Sequence, residues 1–190
     1  MGVYLVSVAA QDWSVAGEDG YGDVASALNT ELERRGLPPY TPKTPEDPGW
    51  FEEKMSPPMD GFAALCRARL SPEEEHTLLS WSLLVPFALE EGIELPVGSA
   101  YTDETLVVGA PCVLALAERL AGTLGLPLDL IPAAFGNLEL TLWFLEGEAE
   151  QAAAARPGPW ADDLTTAFYT AVYLRAAQYS LRYGRALTYS

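Results

Sequence analysis

No helix can run through Pro42, Pro45, Pro48, Pro57 and Pro58, because each ring removes a backbone donor and collides with the preceding turn. The stretch 37–59 is therefore expected to be a proline-rich loop. A loop this long in a compact domain is usually functional or without fixed structure. Trp50 and Phe51 fall within it. They either pin the loop onto the body or, if exposed, form a contact point for a partner.

Around the loop the pattern is regular. Val3 to Ala9 alternates loosely and suits a first strand. A polar, glycine-bearing stretch from Gln11 to Gly22 leads into an amphipathic helix. Tyr21, Val24, Ala25, Leu28 and Leu32 recur there at helical spacing, and Gly36 is placed to end it. Asp60 is positioned to cap a short helix with Phe62, Leu65, Cys66 and Leu70 on one face. The sharpest local signal follows in Ser71-Pro72-Glu73-Glu74. A serine cap, a proline at the first helical position and a glutamate at the third make a capping box.

The run Leu78 to Leu89 is apolar nearly all round, so it reads as the buried central helix, kinked at Pro86 and stopped by Gly92. Ile93–Tyr101 and Thr105–Val108 can pair as strands around Thr102-Asp103-Glu104, and Pro111 opens another helix. In 137–155, Leu140, Leu142 and Phe144 alternate as in a strand, yet Asn137 suits a cap and the tail is helical in composition; a helix weakened at Gly147 is expected. Pro157-Gly158-Pro159 breaks the chain before a long C-terminal helix over 160–184, with Asp162 and Asp163 at its start and arginines at its end. The fold class expected is α+β and predominantly helical. About five to six helices pack around a small sheet with a single core, and 1–190 forms one globular domain.

The charge is large and uneven. Net charge is −16, no Lys or Arg lies between Arg69 and Arg119, and no acid follows Asp163. Nucleic-acid binding is disfavoured, since its affinity rests on neutralising phosphates with Lys and Arg. Anionic membrane surfaces are disfavoured for the same reason, and no segment approaches a membrane span. A basic protein partner fits the field; the plainer reading is that the acid simply keeps a hydrophobic-rich chain soluble. The basic C-terminal helix could also dock on the acidic body of a second copy, giving a homo-oligomer. The N-terminus lacks a basic region before its short apolar run, which with the two cysteines points to the cytoplasm. Scarce lysine beside abundant Ala, Leu, Gly and Pro matches a GC-rich bacterial coding sequence.

Catalytic motifs are sparse. Acid–base work by histidine rests on His76 alone, and a Cys66–His76 nucleophile pair is conceivable. The plainer expectation is that Cys66 and Cys112 are core thiols and His76 a solvated helix residue. No catalytic residue and no cofactor are assigned. For a metal, only Asp12, Glu18, Asp19 and Asp23 gather near glycines, without EF-hand spacing; the plainer alternative is that Asp19 or Asp23 caps the helix. Tyr169, Tyr173, Arg175 and Arg182, with Trp50 and Phe51, are the candidate binding residues. Against that, the tyrosines would pack the core and the arginines would pair with the acidic body.

Two readings of function remain. One is an acidic, non-catalytic protein-binding domain of inhibitor or immunity type. The alternative is a small-molecule binding or carboxylate-based enzymatic domain, with its pocket near the proline-rich loop and the C-terminal Tyr/Arg helix.

Overall fold

The structure, a computed structural model, describes residues 2–17, 20–44, 49–98 and 103–190. Among these residues the order is β1 (Tyr4–Ser7), α1 (Ala10–Trp13), α2 (Gly22–Arg34), β2 (Glu52–Lys54), α3 (Asp60–Arg69), α4 (Pro72–Ser80), β3 (Leu83–Val85), β4 (Ile93–Leu95), β5 (Thr105–Gly109), α5 (Ala110–Leu124), α6 (Glu139–Leu145), α7 (Glu148–Ala155), α8 (Pro159–Asp162), α9 (Leu164–Tyr183) and β6 (Leu187–Tyr189). The helix-rich α+β class holds, with one mixed sheet ordered β2-β1-β6-β3-β5-β4. Only β3 and β5 run parallel, Leu84 opposite Val108; the remaining neighbours are antiparallel.

The sheet divides the apolar interior. Leu5, Leu84, Val108 and Leu187 face α3, α5, α6 and α9 on one side. Leu83, Val85, Ile93, Leu95 and Val107 face α2, with Trp13 and Tyr40, on the other. Opposite faces alternate because successive strand side chains do.

The central helix is α9, not the expected Leu78–Leu89 segment. That segment ends its helix at Ser80, and Leu83-Leu84-Val85 becomes β3 with all three residues buried. A strand covered on both faces has no polar side to show, so its sequence is continuously apolar and mimics a buried helix. Gly109 ends β5 where a β-carbon would stand 2.5 Å from the Phe87 carbonyl oxygen, so the chain leaving β3 crosses here only because the side chain is absent. The expected strand pair is present as β4 with β5, Ile93 opposite Val107; Tyr101 and Thr102 of the expected hairpin lie outside the described residues.

The proline-rich segment 37–59, expected to be loop throughout, contains β2. It pairs Tyr4 with Lys54. The expected helix is present from Glu139 to Ala155 but is broken into α6 and α7 at Gly147, whose φ of 99° is the left-handed region open to glycine; Asn137, the expected cap, instead bridges Glu52, and Leu138 holds the cap position. The C-terminal helix begins at Leu164 rather than 160, capped by Asp163, whose side chain accepts from the Thr166 amide. Trp160 belongs to the separate turn α8. Asp60 does not cap α3; Met59 holds that position without a side-chain bond.

The capping box of α4 is present in both halves. The Glu74 amide donates to Ser71 Oγ at 3.2 Å and the Ser71 amide to Glu74 Oε2 at 2.9 Å. Arg119 adds a bond to Glu74 at 2.5 Å, which holds that carboxyl below its usual range. Ser71→Ala is expected to lower stability by about 1 kcal/mol in denaturant unfolding. An unchanged midpoint would show that neighbouring residues, not Ser71, satisfy the first turn.

Candidate functional site

Most of the residues singled out in the sequence are structural. Phe51 is wholly buried, its ring 5.5 Å from that of Tyr179, while its neighbour Trp50 is 37% exposed and donates to Glu52 Oε2 at 3.1 Å. Phe51 therefore pins the loop and Trp50 shows at the surface. The Tyr179 hydroxyl donates to the Gly49 carbonyl and so ties the loop to α9. Tyr169 and Tyr173 are buried, stacked on Phe62 at 5.8 and 5.3 Å. The Tyr169 hydroxyl donates to the Pro57 carbonyl, and that of Tyr173 pairs with Tyr189 at 3.0 Å. Burial raises the pKa of both phenols, Tyr173 to about 12, so neither ionises near neutral pH.

The C-terminal arginines do not pair with the acidic body among the described residues. Arg175 donates to the carbonyls of Leu128, Ile131 and Pro132 at 3.1, 2.9 and 3.0 Å and to Gln178 at 2.9 Å. It closes the irregular 126–132 segment, and burial lowers its pKa. Arg182 lies over the Phe135 ring at 4.9 Å. Arg185 is buried, and its Nε finds no acceptor among the described residues. Of the three, Arg182 is the one left at the surface, beside Phe135 and Tyr183.

The nucleophile pair is not assembled. Cys66 is fully buried, and burial pushes its thiol up to about 12. His76 is exposed, with Nδ1 3.1 Å from Ser80 Oγ one turn along α4. Cys112, expected in the core, is exposed, because it falls on the solvent flank of α5. Both cysteines are free. Among the described residues no three His, Cys, Asp or Glu side chains converge to hold a metal ion. The Asp12 carbonyl accepts from the Tyr21 amide at 2.9 Å, and Asp23 sits in the first turn of α2 without capping it. Glu18 and Asp19 lie outside the described residues. No helix among the described residues is long and apolar enough to cross a membrane.

The concave surface lies elsewhere, around β4 at one edge of the sheet. Three depressions share Glu94 as a lining residue. The first, 420 Å³, runs between α2 and β4 and carries Asp23 and Glu31. The second, 670 Å³, lies on the opposite side, bounded by His76 and Ser80 of α4, with Asp103 and Glu104 at its rim. The third, 370 Å³, continues past His76 to Arg35.

Glu94 stands opposite Leu106, on the face away from Ile93 and Leu95, whose side chains enter the α2 core. The floor is fixed by backbone and hydroxyl bonds. Ser82 exchanges two bonds with Leu106 at 3.0 Å, and Thr105 Oγ1 donates to the Val97 carbonyl at 2.7 Å.

Charge in this region is one-sided. Glu31 is neutralised locally: hydrogen bonds from Arg34 and Arg35 hold its carboxyl down to about 2. Asp23, Glu94, Asp103 and Glu104 join no ion pair among the described residues. Four solvated carboxylates around one concave edge give a negative potential that draws cationic groups. Sequence reading missed this site. Residues 23, 76, 94 and 103–104 are scattered along the chain, and only the strand order brings them together.

A second missed residue is Glu53. It is fully buried on β2 and accepts from the Leu140 amide at 2.9 Å, the Thr141 amide at 2.7 Å and Thr141 Oγ1 at 2.6 Å. It thereby caps α6 from another element, while Leu138, at that helix's own cap position, has φ of 59° and makes no side-chain cap bond.

Comparison with protein-family models, with curated proteins and with solved structures finds no match.

Proposed function

We propose that this chain is a non-catalytic binding domain that engages a basic protein through the concave, acidic edge of its sheet around β4, as an inhibitor or immunity-type protein would. The observation that carries the reading is the convergence of three depressions on Glu94, with Asp23, Asp103 and Glu104 beside it in no ion pair among the described residues. Such an arrangement speeds and selects association with a positive surface more than it adds bare affinity. The engagement of His76 with Ser80, rather than with a buried thiol, supports binding over nucleophilic chemistry. The other reading, a small-molecule pocket at the C-terminal tyrosines, has less support because Tyr169 and Tyr173 spend their hydroxyls internally.

The test is calorimetric titration with purified basic proteins of pI above about 9. Affinity is expected to fall about tenfold as salt rises from roughly 0.05 to 0.5 M. The triple variant Glu94→Gln, Asp103→Asn, Glu104→Gln is expected to bind about tenfold more weakly and with a flatter salt dependence. Equal binding by wild type and triple variant would remove this edge from the interaction.

A further inference from the structure

We propose that the partner is received as an added strand: an extended segment with adjacent Lys or Arg residues pairs with the open side of β4, becoming the seventh strand of the sheet. This rests on the basic-partner reading above and specifies its geometry. Among the described residues β4 pairs with β5 alone and ends the sheet, so one side of its backbone meets no other strand. Of three successive residues in an edge strand, one or two turn both N–H and C=O outwards, which is the template that strand addition uses.

The surroundings of this edge decide the occupant. A depression lies on each face of the sheet beside β4, one towards α2 and one towards α4. Side chains of an added strand would point alternately to the two faces. One residue would enter the α2 side, where Asp23 is the acid that joins no ion pair among the described residues and Glu31 is already neutralised by Arg34 and Arg35. The next would enter the α4 side, lined by Glu94, Asp103 and Glu104. Acid on both sides selects cations at consecutive positions, not at every second one. A flat basic surface would meet the rim carboxylates but would leave the strand edge unused. Pro96, next after β4, cannot donate a backbone bond and so limits pairing to a short register.

The experiment uses the whole chain, labelled with nitrogen-15, and a blocked eight-residue peptide of Lys, Arg, Val and Thr with two adjacent basic residues at its centre. A twin peptide carries N-methyl groups on alternate central residues; charge is kept and strand bonds to one side are removed. The unmodified peptide is expected to shift the amides of Ile93, Glu94 and Leu95 on titration. The methylated twin is expected to bind about tenfold more weakly, the loss of one or two strand bonds. Glu94→Gln is expected to weaken the unmodified peptide and leave the fold intact, since its side chain is exposed and joins no ion pair among the described residues. Equal binding of the twins, or shifts confined to Asp103 and Glu104, would overturn strand addition while keeping the acidic edge as a binding surface. Binding by neither peptide would count against both.

Discussion

Trp81→Ala is expected to lower the unfolding free energy by about 3–5 kcal/mol, the range for truncating a large buried aromatic. Trp81 follows α4 and is 2% exposed. Its ring meets Tyr173 edge-on at 5.9 Å and lies against Tyr189 at 5.0 Å. It thus joins α4 to α9 and to β6, and its loss leaves a cavity at their junction. The indole Nε1 has no acceptor among the described residues. Trp81→Phe keeps most of the packing and removes that donor, so it is expected to cost far less than the alanine change. Equilibrium denaturation of both variants measures the difference. A near-neutral alanine variant would place Trp81 outside the core.

The second large effect concerns Glu53. Glu53→Ala deprives two buried amides and the Thr141 hydroxyl of their acceptor, and each orphaned buried donor costs about 1–3 kcal/mol. Relief from burying a carboxylate offsets part of this, so a net loss of roughly 2–4 kcal/mol is expected. The pH dependence has a definite sign. Burial raises the Glu53 pKa above its ordinary 4.5, against the hydrogen bonds from Thr141 and Leu140 that pull it down. The folded state therefore holds this proton more tightly than the unfolded chain. Its stabilising share is complete below the ordinary value and is lost as pH rises through the raised folded one. Glu53→Gln has no such titration. The stability gap between wild type and Glu53→Gln is expected to shrink as pH is raised across that window. A gap that stays constant, or widens, would show that Glu53 does not hold its proton more tightly in the fold.

What could be read from the sequence was whatever short-range chemistry decides. The Ser71 box, the amphipathic face of α2 and the break at Gly147 each depend on a few neighbouring residues, and each is where it was expected. The misreadings have a common physical cause. Leu83-Leu84-Val85 has no period to read because both of its faces are covered. Glu52-Glu53-Lys54 is three charged residues in a row, and only pairing with β1 and the α6 amides waiting for Glu53 make it a strand. Trp50 and Phe51 are adjacent extended residues whose side chains point opposite ways, so one is buried and the other is not. The acidic excess was plain in the composition, but its concentration around β4 follows from strand order, to which no local pattern refers.

That strand order also sets a timetable. β6 lies between β1 and β3 and, among the described strands, is the one that joins the pair β2-β1 to the trio β3-β5-β4. Leu5 finds Tyr189 as its partner across nearly the whole chain. While the chain is being synthesised, two half-sheets must wait with open inner edges until residues 187–189 emerge. Contacts so distant in sequence close late and make folding slow. Waiting edges are also where chains pair with the wrong neighbour. The interval before β6 arrives is when these half-sheets are most exposed to misassembly, and it is when a chaperone would have most to protect.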